Sequence, residues 1–218
     1  YAVQPPLFGL NLTARSVSLE DFLNDGTDAS GKPVRLKGTI EGKLALSGQF
    51  GRPEMRKGSG SVVIHEAQMA KLPMILGIMQ VVHMSLDDDN AFHDALGDFI
   101  VDGDDIILER IDLRGKAISM VGAGRVQASD LATHLILLVG SPLNLPRMGV
   151  LSELVEGVAR EVMEVHVEGT LHTPLLRADI VRSVRKTVEA MTSLRAEHNP
   201  SRATERVARP GKNSLRSR

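Results

Sequence analysis

Apolar and polar residues alternate at period two along much of this chain. The longest run is Val34 to Phe50. Val34, Leu36, Ile40, Leu44, Leu46 and Phe50 hold even positions together with Gly38, Gly42 and Gly48, and Arg35, Lys37, Thr39, Glu41, Lys43, Ser47 and Gln49 hold odd ones. Successive side chains of a strand point to opposite faces, so the run predicts strand with one apolar and one polar face. Its length exceeds the usual ~3–10 residues. The pattern therefore predicts either one long bent strand or two strands meeting near Gly42. Upstream, Phe8, Leu10 and Leu12 alternate, and the phase then shifts to Val17 and Leu19. That shift predicts a bulge or turn near Ala14–Ser16.

Further strands are predicted at Ser61–Met69 (Val62 and Ile64 inward), Phe92–Val101, Asp105–Leu113, Ile118–Gln127, Leu131–Val139 and Glu164–Leu171. Gly/Asp-rich 24–33 and GRPEMRKGSG at 51–60 read as loops on composition. Asp102-Gly103 between two apolar runs is a hairpin signal. Short turns between consecutive strands predict an antiparallel meander.

Period two breaks in three places. Residues 73–83 are apolar on nearly every side and open on Pro73, a residue suited to the first helical position. A helix is predicted there, too short for the ~20 apolar residues of a membrane span. Met148, Leu151, Val155, Val158 and Val162 follow helical spacing over 147–162. Ile180, Val184, Val188 and Met191 form the stripe of an amphipathic helix near 178–195, opposite Arg182, Arg185 and Lys186. The expected architecture is mainly β with a few helices: a long curved antiparallel sheet forming an apolar groove. Domain 1–194 is expected to be followed by a basic, disordered tail at 195–218.

Composition narrows the function classes. Aromatic content of 3%, with no Trp, gives little to stack on nucleic-acid bases, and a net charge of −1 offers no global attraction to phosphate. The absence of Cys excludes disulfides and thiolate metal sites. No secretory leader is evident, and the start at Tyr1 reads as that of a fragment.

Candidate chemistry is sparse. His83, Asp87-Asp88-Asp89, His93 and Asp94 match neither an EF-hand loop nor a His-Glu-x-x-His motif, and they read as a solvated linker. Asp102, Asp104 and Asp105 read as turn residues. Gly122-Ala123-Gly124 lies inside a strand pattern, away from any helix start that could cradle phosphate. His65, His134, His166 and His172 share no spacing and read as outward or rim residues. No Gly-x-Ser-x-Gly elbow is present. No catalytic residue, metal or cofactor is expected.

Gly58–Gln127 joins a glycine-led strand (GSGSVVIHEAQMAKLP), a short apolar helix (MILGIMQVV) and the phrase I-x-L-x-x-I-x-L-x-G followed by I-x-M-x-G-x-G-x-V. This stretch resembles the C-terminal region of AsmA-like proteins, and VHVEGTLHTPL at 165–175 is similar to that family's closing G-T-L-x-x-P strand. The resemblance covers roughly residues 34–190. It implies an envelope protein of double-membrane bacteria, in the periplasm and anchored in the inner membrane outside this sequence. It further implies a β-groove that moves phospholipid between membranes or assists outer-membrane assembly, with envelope proteins as partners.

On that reading Leu36, Ile40, Leu44, Leu46, Val62, Ile64, Ile118, Met120 and Val126 are the expected groove face for phospholipid acyl chains. Met74, Ile75, Ile78, Met79 and Val82 are the expected cap helix. The alternative expectation is a structural or protein-interaction module whose helices seal the apolar face completely.

Overall fold

The computed structural model describes residues 5–19, 38–66, 73–82, 92–142, 145, 162–171, 173–180, 189, 191 and 193. The strands are β1 (Leu7–Ser18), β2 (Thr39–Gln49), β3 (Arg52–His65), β4 (Asp94–Asp102), β5 (Asp105–Arg114), β6 (Ser119–Gln127), β7 (Thr133–Gly140), β8 (Met163–Gly169) and β9 (Pro174–Ile180), with helix α1 (Pro73–Val81) between β3 and β4. They form a single sheet in which each strand pairs antiparallel with the next in sequence. The meander expected from the short turns is therefore the fold. The long curved groove is not: the sheet is neither closed nor strongly curled, and β1 and β9 remain its two separate edges.

The alternating run at 34–50 forms one strand over its described part, with no break at Gly42. The loop expected at 51–60 is instead the first half of β3, and the connection shrinks to Phe50-Gly51, with Gly51 at φ 72°. Composition misleads there for two reasons. β3 pairs with β4 only from Lys57 onward, so Pro53 lies where no second ladder needs its missing N–H. Gly58 and Gly60 are strand residues whose missing side chains admit Leu46 and Phe99 of the neighbouring strands.

The phase shift in β1 is a bulge between Ala14 and Val17, with Ser16 at φ 50°. The two-residue gap in I-x-L-x-x-I-x-L is a second bulge, in β5. There Leu108 pairs with Gly124 and Ile111 with Gly122, so both apolar residues stay on one face despite odd spacing. Gly103, at φ 63°, makes the expected hairpin turn between β4 and β5.

β9 is the main element that periodicity missed. Pro174–Ile180 is strand, so the helix expected near 178–195 cannot begin before residue 181. Glu189, Met191 and Ser193 are helical, with Met191 buried and the other two exposed, as the amphipathic stripe requires. The helix expected at 147–162 lies outside the described residues except for Val162, which is buried and non-helical. The tail at 195–218 also lies outside them.

Helix α1 starts on Pro73 as expected, and Val82 N–H still donates to Ile78 O at 3.0 Å. Ile75, Ile78, Met79 and Val82 are buried in the main apolar cluster with Ile118, Met120, Leu137 and Val165. The helix belongs to the β3–β4 connection but packs against β9, where Gly77 lets Leu176 lie against its backbone.

Candidate functional site

Register decides where the apolar residues go. One row of paired positions crosses all nine strands: Leu12, Leu44, Gly60, Phe99, Leu108, Gly124, Leu135, Val167 and Leu176. A second row runs parallel to it through Val17, Ile40, Ile64, Ala95, Leu113, Met120, Val139, Met163 and Ile180. Directly opposed residues of an antiparallel pair point to the same face. Ile40, Leu44, Leu46, Val62, Ile64, Met120 and Val126 therefore share one face, as expected of the groove set. Ile118, just before β6, joins the same buried cluster. Leu36 lies outside the described residues, as do the side chains of Met74 and Leu76 on α1.

Coverage of this face is uneven. Over β6–β8 it is sealed: Met120 and Val167 are fully buried, and Leu135, Leu137 and Val139 nearly so. Over β1–β3 it opens only at the end nearest the Phe50-Gly51 turn, while Leu19 and Ile40 at the other end are buried in the same cluster as α1. Leu10 is 42% and Leu12 50% exposed, and Leu44, Leu46 and Val62 are only half-buried. Size contributes to the difference. A nine-residue helix is about 14 Å long, whereas nine strands span about 38 Å at ~4.8 Å spacing. Helix α1 contacts β9, and the face stays exposed at the turn end of β1–β3.

Inward glycines set the fine relief of the face. A Cβ on Gly60 would lie 2.4 Å from Phe99 Cζ, and one on Gly122 would lie 2.4 Å from Ile136 O. At each site a large neighbour folds over a position without a side chain, giving a smooth apolar surface instead of a cleft. Two shallow hollows, of about 520 and 380 Å³, lie over β1–β5. By register their side-chain lining is on the opposite face: Gly9, Ala45, Ser47, Ser59 and Ser61 are small and leave space beside Lys43 and Lys57.

That opposite face carries a lattice of cross-strand ion pairs. Lys57 meets Asp102, Arg110 meets Asp98 at 2.7 Å, and Arg125 meets Asp105 at 3.6 Å. Asp102 is thus a cross-strand partner. Asp104 accepts the Ser129 hydroxyl at 2.5 Å and so ties two turns together. His65 lies 3.1 Å from Asp94, with His93 at 3.5 Å on the other carboxylate oxygen. His134 faces Glu168 at 3.9 Å, and His166 contacts Glu164 at 2.6 Å. His65 and His134 are exposed and His166 is half-buried; His83, Asp87, Asp88, Asp89 and His172 lie outside the described residues. Among the described residues no three His, Asp or Glu side chains gather in a metal-binding arrangement.

Sequence reasoning did not foresee that β6 and β7 bury both faces, with Ile107 of β5 buried beside them. Ile107, Val121, Ala123, Ile136 and Leu138 project from the face opposite the rows above, yet are buried. Leu145, itself buried, brings the chain over this side: its carbonyl accepts a hydrogen bond from Arg114 Nη1 at 3.1 Å, and Arg114 is held in turn by Asp112. The signal was the dense apolar run of β7, LILLV, in which alternation disappears.

No helix among the described residues is long and apolar enough to cross a membrane. No family model matches the chain, and no curated protein or solved structure matches it either.

Proposed function

We propose that the chain is a non-enzymatic segment of a cell-envelope protein, and that its open apolar face shelters phospholipid acyl chains in transit between membranes or during outer-membrane assembly. The observation that carries this reading is the exposure gradient along one continuous apolar row, from Leu12 at 50% to Val167 at 0%. Leu10, Leu12, Leu44 and Leu46 form a patch of aliphatic side chains on adjacent strands, and exposed contiguous apolar patches mark binding surfaces. Each methylene sheltered there contributes about 0.8 kcal/mol, so a partly covered acyl chain gains several kcal/mol while its headgroup stays in water. Aliphatic contacts discriminate poorly, so binding would follow chain length more than headgroup. The resemblance of Gly58–Gln127 to the AsmA-like C-terminal region supports the same assignment and adds the periplasm, with an inner-membrane anchor outside this sequence, as the expected location.

The test is lipid co-purification read by mass spectrometry, together with uptake of a fluorescent phospholipid. Wild type is expected to carry and take up phospholipid. Leu44→Asn is expected to lower uptake several-fold, while Ser47→Asn on the other face leaves it unchanged. A lipid-free protein that also takes up no fluorescent phospholipid would sink the reading.

A second reading has its own support. The sheet is sealed on both faces at β6 and β7, as in a structural or protein-interaction module with a closed core. The same experiment separates the two, because such a module takes up no lipid in either variant.

A further inference from the structure

The two edges of the sheet are guarded differently. β9 is seven residues long, opens on Pro174 and displays exposed Arg177 and Asp179. Short length, proline and charge are the features that prevent an edge from recruiting another strand. β1 is twelve residues long, and Leu7–Ala14 carries no charge and no proline. Its start is also held firmly in place. Gln49 Nε2 donates to Pro5 O at 2.7 Å, Phe50 N–H to Pro6 O at 3.1 Å, and the Phe8 and Phe50 rings pack at 5.1 Å.

The Phe50–Pro6 bond identifies which groups of β1 are unused. Pro6 and Phe50 form a hydrogen-bonded pair, and such pairs alternate along an antiparallel ladder. By the observed register Phe8, Leu10, Leu12 and Ala14 then direct their backbone groups at β2. Leu7, Gly9, Asn11 and Thr13 direct theirs away from the sheet, where no described strand pairs with them.

We propose that this edge pairs with β1 of a second copy of the chain, antiparallel and centred on Leu10. About that centre Leu7 meets the partner's Thr13 and Gly9 meets the partner's Asn11, so all four outward residues exchange hydrogen bonds. Phe8 meets the partner's Leu12, and Leu10 meets the partner's Leu10, all on the apolar face. Moving the centre to Gly9 brings Pro5, which has no N–H, against Thr13. Moving it to Asn11 brings Arg15 and the bulge against Leu7. Only the Leu10 centre matches the uncharged stretch to itself, and this self-complementarity points to a second copy as the occupant. The two nine-stranded sheets then share one apolar face through a two-fold axis perpendicular to it.

Sedimentation equilibrium of the 218-residue chain tests the proposal. Wild type is expected at twice the 23.6 kDa chain mass at micromolar concentration. Leu10→Lys and Leu10→Glu each set like charges against each other at the axis. Each is expected to self-associate at least roughly tenfold more weakly, with far-UV circular dichroism unchanged, because like charges directly opposed across strands repel. An equimolar mixture of the two is expected to restore the dimer. Asn11→Pro removes one outward N–H without touching the bonds to β2 and is expected to weaken association similarly. A wild type that stays monomeric assigns the edge to another polypeptide, and a mixture that fails to recover rules out the Leu10 centre; either result overturns the proposal.

Discussion

Gly122 and Gly9 are both strand glycines, and their surroundings assign them opposite roles. A Cβ on Gly122 would meet Ile136 O at 2.4 Å and Leu137 Cδ2 at 2.5 Å, and the carbonyl cannot rotate away without breaking the β6–β7 ladder. Gly122→Ala is expected to cost about 1–3 kcal/mol, as overpacking of a tight core does, measured as a lower urea midpoint. Around Gly9 a Cβ meets nothing within 4 Å. Gly9→Ala is expected to be neutral or to stabilise by up to ~1 kcal/mol through the unfolded chain's lost freedom. Ser119 gives a second residue-scale test. Its hydroxyl is fully buried with no hydrogen-bond partner. Ser119→Ala is expected to leave stability unchanged or raise it by about 1 kcal/mol, because an unpaired buried hydroxyl is a net cost. None of these assignments is legible in the chain itself: glycine spacing marks the positions, but only the neighbouring strand reveals whether space exists there.

At the scale of elements, periodicity served best where one face is wet. The long alternation that became β2, the phase shift that became the bulge in β1 and the apolar run that became α1 were all readable, because each burial pattern leaves its own spacing. The β3 hairpin arm was not. Its Gly, Pro and Lys content is that of a loop, and it is strand because β2 supplies a partner on one side. β9 was missed for a related reason: PLLRADI is short and carries Arg177 and Asp179, and its pairing with β8 overrides weak local preference. Helix α1 is held by tertiary contacts more than by propensity, since nine residues are too few for a stable isolated helix. Ile78, fully buried, is its deepest anchor. Ile78→Ala is expected to cost about 2–5 kcal/mol and to expose more of the face near β9, read as a lower denaturation midpoint with increased binding of an apolar dye.

At the scale of the molecule, the sheet of nine strands is wider than α1 is long, and the end of the apolar face left exposed among the described residues is where lipid binding and edge pairing are both proposed. The two are separable: Leu44→Asn is expected to reduce lipid uptake without changing the sedimenting mass, and Asn11→Pro to reduce the mass with the aliphatic face intact. The sequence alone determined that the protein is mainly β, that consecutive strands pair, and that Ile40, Leu44, Leu46, Val62, Ile64, Met120 and Val126 share a face. These follow from period two and short turns, which are local properties of the chain. Whether the sheet curls into a groove, which end of the apolar face is sealed, and that β6 and β7 are buried on both sides were decided only by the tertiary structure. Those outcomes depend on which strands α1 packs against and on where Leu145 lies after β7, and no local spacing encodes distances between residues so far apart in sequence.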